Sequence, residues 1–215
     1  MKNWAFRFTL VALLIALPTT ALAQAVFTET PTFDFSSDAA TPTPLAFSLG
    51  TNTITGSVST GSGDTRDYIT FTIAPGQVLS ALRLITYQQP GGVTGNRGFH
   101  ALNSGATSFI PGAATEANFL GGDHVDPLPS GTDLLPELSN GDTAGVGFTV
   151  PLGPGTYSYV IQQTGPQVSE YSMQFVVTAP PPVPAAGHGV LAALVVLLAA
   201  AGTIVLRRTM TVRHA

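Results

Sequence analysis

Between residues 45 and 178 apolar and polar side chains alternate with a period of two, and Gly, Pro, Asn or Asp interrupts the alternation about every ten residues. That pattern predicts strands, and no helical period of useful length competes with it. In Asp67 to Ile73, Ile69, Phe71 and Ile73 fall on one face and Tyr68, Thr70 and Thr72 on the other, as in a half-buried strand. Ala74-Pro75-Gly76-Gln77 closes it with the Pro and Gly placements of a type II turn. A second strand runs from Val78 to Tyr87, with Leu82 and Leu84 on one face and Leu79, Ala81 and Arg83 on the other.

Further along, Phe148-Thr149-Val150 leads through Pro151-Leu152-Gly153-Pro154-Gly155 into a strand over Thr156 to Gln163. Thr164-Gly165-Pro166 then turns toward Glu170 to Thr178, where Tyr171, Met173, Phe175 and Val177 line one side. These two segments are expected to pair as an antiparallel hairpin. Leu45 to Leu49, Asn52 to Val58, Gly98 to Leu102 and Thr107 to Ile110 are weaker strand candidates. Eight or nine short strands without crossover helices predict an all-β fold, an antiparallel two-sheet sandwich of jelly-roll type over residues 45–178. Residues 24–44, rich in Thr and Pro, read as a lead-in in which Phe33 and Phe35 suit an edge strand. The stretch 111–144 carries few alternations and reads as a long loop.

Both ends of the chain have a different character. Lys2 and Arg7 border an apolar core from Phe8 to Leu17, and Ala21-Leu22-Ala23 supplies the small residues that signal peptidase needs. Residues 1–23 therefore read as a signal peptide helix, with Gln24 the first mature residue. At the other end, residues 179–188 form a Pro-rich linker, Gly189 to Leu206 is uniformly apolar, and 207–215 is a basic tail with Arg207, Arg208 and Arg213. At about 1.5 Å per residue the apolar stretch reaches roughly 27 Å, close to the ~30 Å hydrocarbon core, so it is expected to be a transmembrane helix. The arginines then stay cytoplasmic and the β domain lies outside.

Removing the ends changes the charge picture. The whole chain carries a formal −4, but the exported part keeps only Arg66, Arg83 and Arg97 against all twelve carboxylates, and has no lysine. Such a surface lacks donors for phosphate neutralisation, which excludes nucleic acid as a partner. With no cysteine in the chain, neither disulfides nor thiol chemistry enter. Stability must come from apolar burial and strand pairing.

Catalytic signals are sparse. No Gly-x-Ser-x-Gly elbow and no His-Glu-x-x-His pair occurs, and the domain offers only His100 and His124 as bases, so no catalytic residue is assigned. His100, within Gly98-Phe99-His100-Ala101-Leu102, reads as a strand residue with a satisfied ring. Paired carboxylates meeting across a sheet remain the one enzymatic alternative, a glycan-directed hydrolase. Oxygen ligands for Ca²⁺ are available at Asp64 and Asp67, which flank a loop before a strand, and at Asp123 and Asp126. The latter two belong to an acidic series continued by Asp133, Glu137 and Asp142. The alternative for each group is a solvated acidic loop.

Gly56-Ser57-Val58, the run Asp64-Thr65-Arg66-Asp67-Tyr68-Ile69-Thr70-Phe71-Thr72-Ile73-Ala74-Pro75-Gly76-Gln77 and Pro151-Leu152-Gly153-Pro154-Gly155-Thr156-Tyr157 together resemble the bacterial pre-peptidase C-terminal type of domain. The resemblance implies an extracellular β-sandwich of jelly-roll character, accessory to a larger function. The tail resembles the proteobacterial sorting signals of the PEP-CTERM and IPTL-CTERM kinds, which share a short Pro motif, a membrane helix and an Arg cluster. Here Val183, Pro184, Ala185 and Ala186 take the motif's place and Arg207 and Arg208 the cluster's. That resemblance implies an exosortase-like processing enzyme as partner, a passing stay in the inner membrane, and delivery to the cell surface or extracellular matrix in a structural or adhesive role. A plain single-pass anchor is the alternative for the tail. A carbohydrate-binding module using Tyr87, Phe99 or Tyr159 as stacking platforms on extracellular polysaccharide is the alternative for the domain.

Overall fold

The computed structural model describes residues 24–61, 63–88, 98–108, 118–125, 130–140, 145–163 and 167–179. The expected signal peptide with Ala21 and Ala23, the expected sorting motif at Val183, Pro184, Ala185 and Ala186, the apolar stretch 189–206 with Arg207 and Arg208, and Asp126 lie outside them. Among the described residues no helix is long and apolar enough to cross a membrane.

Ten strands and one helix follow one another as β1 (Ala25–Thr28), β2 (Thr43–Leu45), β3 (Gly50–Val58), β4 (Arg66–Ile73), β5 (Val78–Gln88), β6 (Gly98–Ser104), β7 (Phe119–Val125), β8 (Thr132–Asp133), α1 (Leu135–Ser139), β9 (Gly155–Gln163) and β10 (Ser169–Thr178). They form two five-stranded sheets, ordered β1-β3-β10-β5-β8 and β2-β4-β9-β6-β7. The arrangement is sandwich-like, and the chain changes sheet at almost every connection, with β6 and β7 the adjacent pair that stays in one.

The sheets are mixed where purely antiparallel ones were expected. β1 pairs with β3 in parallel and β2 with β4 in parallel, while the inner pairs are antiparallel. Parallel neighbours need a crossover of a dozen or so residues. Each N-terminal strand gets one because the chain visits the opposite sheet before it returns. Thus residues 24–44, read as a lead-in, supply the outermost strand of one sheet and most of that of the other.

The expected hairpin between β9 and β10 does not form. β9 pairs with β4 and β6, and β10 with β3 and β5. Each of the two carries its own row of large apolar side chains, and placing them in facing sheets lets both rows enter one interior. Tyr171, Met173, Phe175 and Val177 do share the buried side of β10, as do Ile69, Phe71 and Ile73 on β4. Phe175 meets Phe71 and Tyr159 of the other sheet at ring-centroid distances of 5.3 and 5.4 Å. A smaller cluster of Ala39, Tyr68, Phe99, Ala101, Phe119 and Val160 covers the other face of the second sheet, so β9 is buried on both sides.

The turn after β4 is as expected, with Gln77 N–H donating to Ala74 O at 3.0 Å and Gly76 at φ +74°. β5 departs from strict alternation. Its register against β10 shifts between Ser172 and Met173 and again between Val176 and Val177, which leaves Ile85 and Ser80 as extra residues. Each bulge resets the phase, so Leu79 and Tyr87 turn to the same buried side as Leu82 and Leu84. Within 111–144, read as loop, the structure places β7, β8 and α1, with Leu134, Leu135 and Leu138 closing onto the core.

Candidate metal centre

Beyond β1 the backbone reverses at once. Thr30 N–H donates to Phe33 O at 2.8 Å and Phe33 N–H to Thr30 O at 3.1 Å, so Asp34 returns beside Glu29. Phe35 then enters the core, 1% exposed, and Ser36 O accepts a hydrogen bond from Tyr68 N–H at 2.8 Å. That bridge lays the returning chain along the start of β4, where Asp67 sits. Because Asp67 shares its face with Ile69 and Phe71, its carboxyl points between the sheets and is 0% exposed.

Here one carboxylate oxygen from each of Glu29, Asp34 and Asp67 lies within 4.8 Å of the others. Glu29 is held by the backbone: Oε2 accepts from Ser57 N–H at 2.7 Å and Oε1 from Phe35 N–H at 3.2 Å. Asp67 Oδ2 accepts from the Tyr171 hydroxyl at 2.7 Å, while Asp67 Oδ1 is buried without a hydrogen-bond partner. Asp64 lies close by, half-buried, with its Oδ1 also unpartnered. Gly56 makes the close approach sterically feasible. A methyl group on it would collide with the Glu29 carboxylate and lie 2.5 Å from the Tyr171 hydroxyl oxygen.

Burial without a compensating cation raises the pKa of Glu29, Asp64 and Asp67. Burial, reinforced by the charge of Glu29, pushes Asp67 up to about 10, against the opposing hydrogen bond from Tyr171. Burial pushes Glu29 up to about 7, although its bonds from Ser57 and Phe35 act the other way, and Asp64 up to about 6, helped by the charge of Asp34. Tyr171 is itself pushed upward, by burial first and then by Asp67. Desolvated acids in one place need either protons or a bound cation.

The proton-held state has a measurable consequence. Folded pKa values above the unfolded ones mean that the native state binds more protons, so stability declines as pH rises from about 4 toward 10. The steepest decline is about 1.4 kcal/mol per pH unit for Asp67, and less for Glu29 and Asp64, which solvent partly screens. In chelator-treated buffer Asp67→Asn, neutral in both states, should flatten this limb and exceed the unmodified protein by roughly 1–3 kcal/mol at pH 8. Urea melts at pH 5 and pH 8 check it; parallel pH dependence in both proteins would contradict the assignment.

The other acids singled out in the sequence are placed apart. Asp123 lies on β7, separated from β4 by β9 and β6, and its Oδ1 accepts from His124 N–H at 2.6 Å. Asp133 Oδ1 accepts from the backbone of Leu82 at 2.9 Å and of Leu135 at 3.1 Å, tying β8 and α1 to β5. Asp64 and Asp67 are neighbours of one centre, but Glu29 and Asp34, which complete it, were not singled out by their sequence neighbourhood. The proposed stacking platforms are corrected: Tyr87, Phe99 and Tyr159 are 5%, 7% and 0% exposed, because all three serve as core rings. His100 is fully buried, its Nδ1 2.9 Å from the Tyr159 hydroxyl and its Nε2 without a partner. No protein-family model and no curated protein matches this chain.

Proposed function

We propose that this is an exported β-sandwich protein that a C-terminal sorting signal carries to the cell surface or extracellular matrix, where its role is structural or adhesive and not catalytic. The observation that carries the reading is the serial order of the tail: the Pro run 180–184, the apolar stretch Gly189 to Leu206, then Arg207 and Arg208. An extended Pro-rich segment holds a cleavable peptide away from both the folded domain and the bilayer, within reach of an exosortase-like enzyme. The last strand of the described fold ends at Thr178, so that segment follows the sandwich without interrupting it.

Signal peptidase would act after Ala23, leaving Gln24 to lead directly into β1. The domain itself would be wound as a jelly roll. Extracellular polysaccharide is the proposed partner; with the three aromatic platforms buried, contact would fall to the polar outer face of the first sheet, where Thr55, Ser172 and Gln174 lie. Intact-mass measurement of the protein recovered from its native host should show loss of residues 1–23 and of everything after about Pro184. A mass that retains the tail would favour the single-pass anchor, and one that retains both ends would refute export.

A further inference from the structure

We propose that Glu29, Asp34 and Asp67 bind a calcium ion that joins the N-terminal segment to both sheets. The first support is metric. Ca²⁺ takes oxygen ligands at 2.3–2.6 Å, so oxygens across its shell are separated by at most about 5 Å. Three carboxylate oxygens from three separate segments already fall within 4.8 Å of one another.

The second support is a partnerless atom. Asp67 is 0% exposed and its Oδ1 has no hydrogen-bond donor, although buried oxygens in native proteins almost always have one. Tyr171 holds only Oδ2, leaving Oδ1 a lone-pair donor in a position from which water is excluded. Among the described residues the charged groups that bear on Asp67 are Glu29, Asp64 and Asp34, all acids, and no side-chain cation takes this role.

The chemistry favours calcium over magnesium. Glu29 is fixed by two backbone N–H groups, so its remaining lone pairs are aimed by the strand and not by an octahedron. Calcium accepts such irregular shells, whereas magnesium demands near-ideal geometry at 2.0–2.1 Å. Asp34 is exposed and gives the ion a route from solvent, with waters completing the coordination. Gly56 keeps the space open, since any side chain there would enter it. This inference does not depend on export or on processing of the tail.

The test uses the full-length chain in a mild nonionic detergent, stripped with chelator and titrated calorimetrically with CaCl₂ and with MgCl₂. One calcium per chain is expected, with magnesium at least tenfold weaker. Saturation a hundredfold above the dissociation constant should raise Tm by roughly 5–10 °C. Asp34→Asn, at an exposed position, should not lower the metal-free Tm and should weaken calcium at least tenfold. Asp67→Asn should abolish the calcium-dependent Tm shift, and Asp123→Asn should leave both quantities unchanged. Absence of calcium heat and of a Tm shift would overturn the proposal. So would a calcium response that Asp34→Asn retains in full, or one that Asp123→Asn removes; should Asp67→Asn not fold, Asp34→Asn decides.

Discussion

Phe175→Ala is expected to destabilise the protein by about 3–5 kcal/mol, the range for removing a fully buried aromatic ring, and so to lower Tm by roughly 10–15 °C. The ring is 0% exposed on β10 and stands 5.0 Å from Phe47, 5.3 Å from Phe71 and 5.4 Å from Tyr159, the last at an interplanar angle of 89°. Phe71 and Tyr159 belong to the opposite sheet, so its loss opens a cavity between the layers that neither sheet can fill alone. With no disulfide to tether the sheets, the full cost should appear in the unfolding equilibrium. Phe175→Leu should cost about half as much, and Val26→Ala, on an exposed side chain, less than about 0.5 kcal/mol. Chemical denaturation of the three variants tests this; a loss below 1 kcal/mol for Phe175→Ala would mean that the two aromatic rows do not face one another.

That interior was half legible in the sequence. Alternation marks which side of a strand is buried, and it did so for Ile69, Phe71 and Ile73 and for Tyr171, Met173, Phe175 and Val177. It carries no information on which sheet a strand joins, because a row of apolar side chains looks the same from either layer. The expected β9–β10 hairpin failed on this point. Alternation also misleads across a bulge: Ser80 and Ile85 each add a residue that a sequence pattern counts as a change of face, and Leu79 was assigned to the wrong side as a result. In β7 the repeated glycines Gly121 and Gly122 hid the strand, yet a Cβ on Gly122 would press on Phe99 and Ala101, so close packing explains the glycine.

The acidic centre was less legible still. Asp64 and Asp67 drew notice because they stand close together before a strand, but the partners of Asp67 are 38 and 33 residues away in the chain, at Glu29 and Asp34. They meet because β1 and β4 lie in different sheets and the Ser36 to Tyr68 bridge closes the gap between them. No local spacing encodes that encounter. One signal was present: in this Thr-rich segment Asp34 stands between Phe33 and Phe35, and Phe35 is the ring that packs into the core.

His100 is the buried group through which acid is expected to destabilise this protein. Its ring is fully buried, and burial pulls its pKa down to about 3 from the ordinary 6.5. In the folded state the imidazole stays neutral, held at Nδ1 by the Tyr159 hydroxyl and packed edge-on against Tyr87 at 5.4 Å. The unfolded chain therefore binds the extra proton between pH 6.5 and 3, and the contribution of His100 to stability falls as pH falls through that window. At about 1.4 kcal/mol per pH unit the loss approaches roughly 3 kcal/mol by pH 4, a large share of the stability of a domain this size. Glu29, Asp64 and Asp67 work in the opposite direction, since acid supplies the protons they already favour, so they do not explain an acid transition. His100→Asn keeps a polar atom near the Tyr159 hydroxyl but has nothing to titrate; it should lose about 1–2 kcal/mol at pH 7 through poorer packing and then gain on the unmodified protein as pH falls to 4. The diagnostic quantity is the pH dependence of the difference between the two proteins and not the neutral-pH offset: if urea midpoints of the variant and of the unmodified protein run parallel between pH 6.5 and 4, the buried imidazole is not a group that acid attacks.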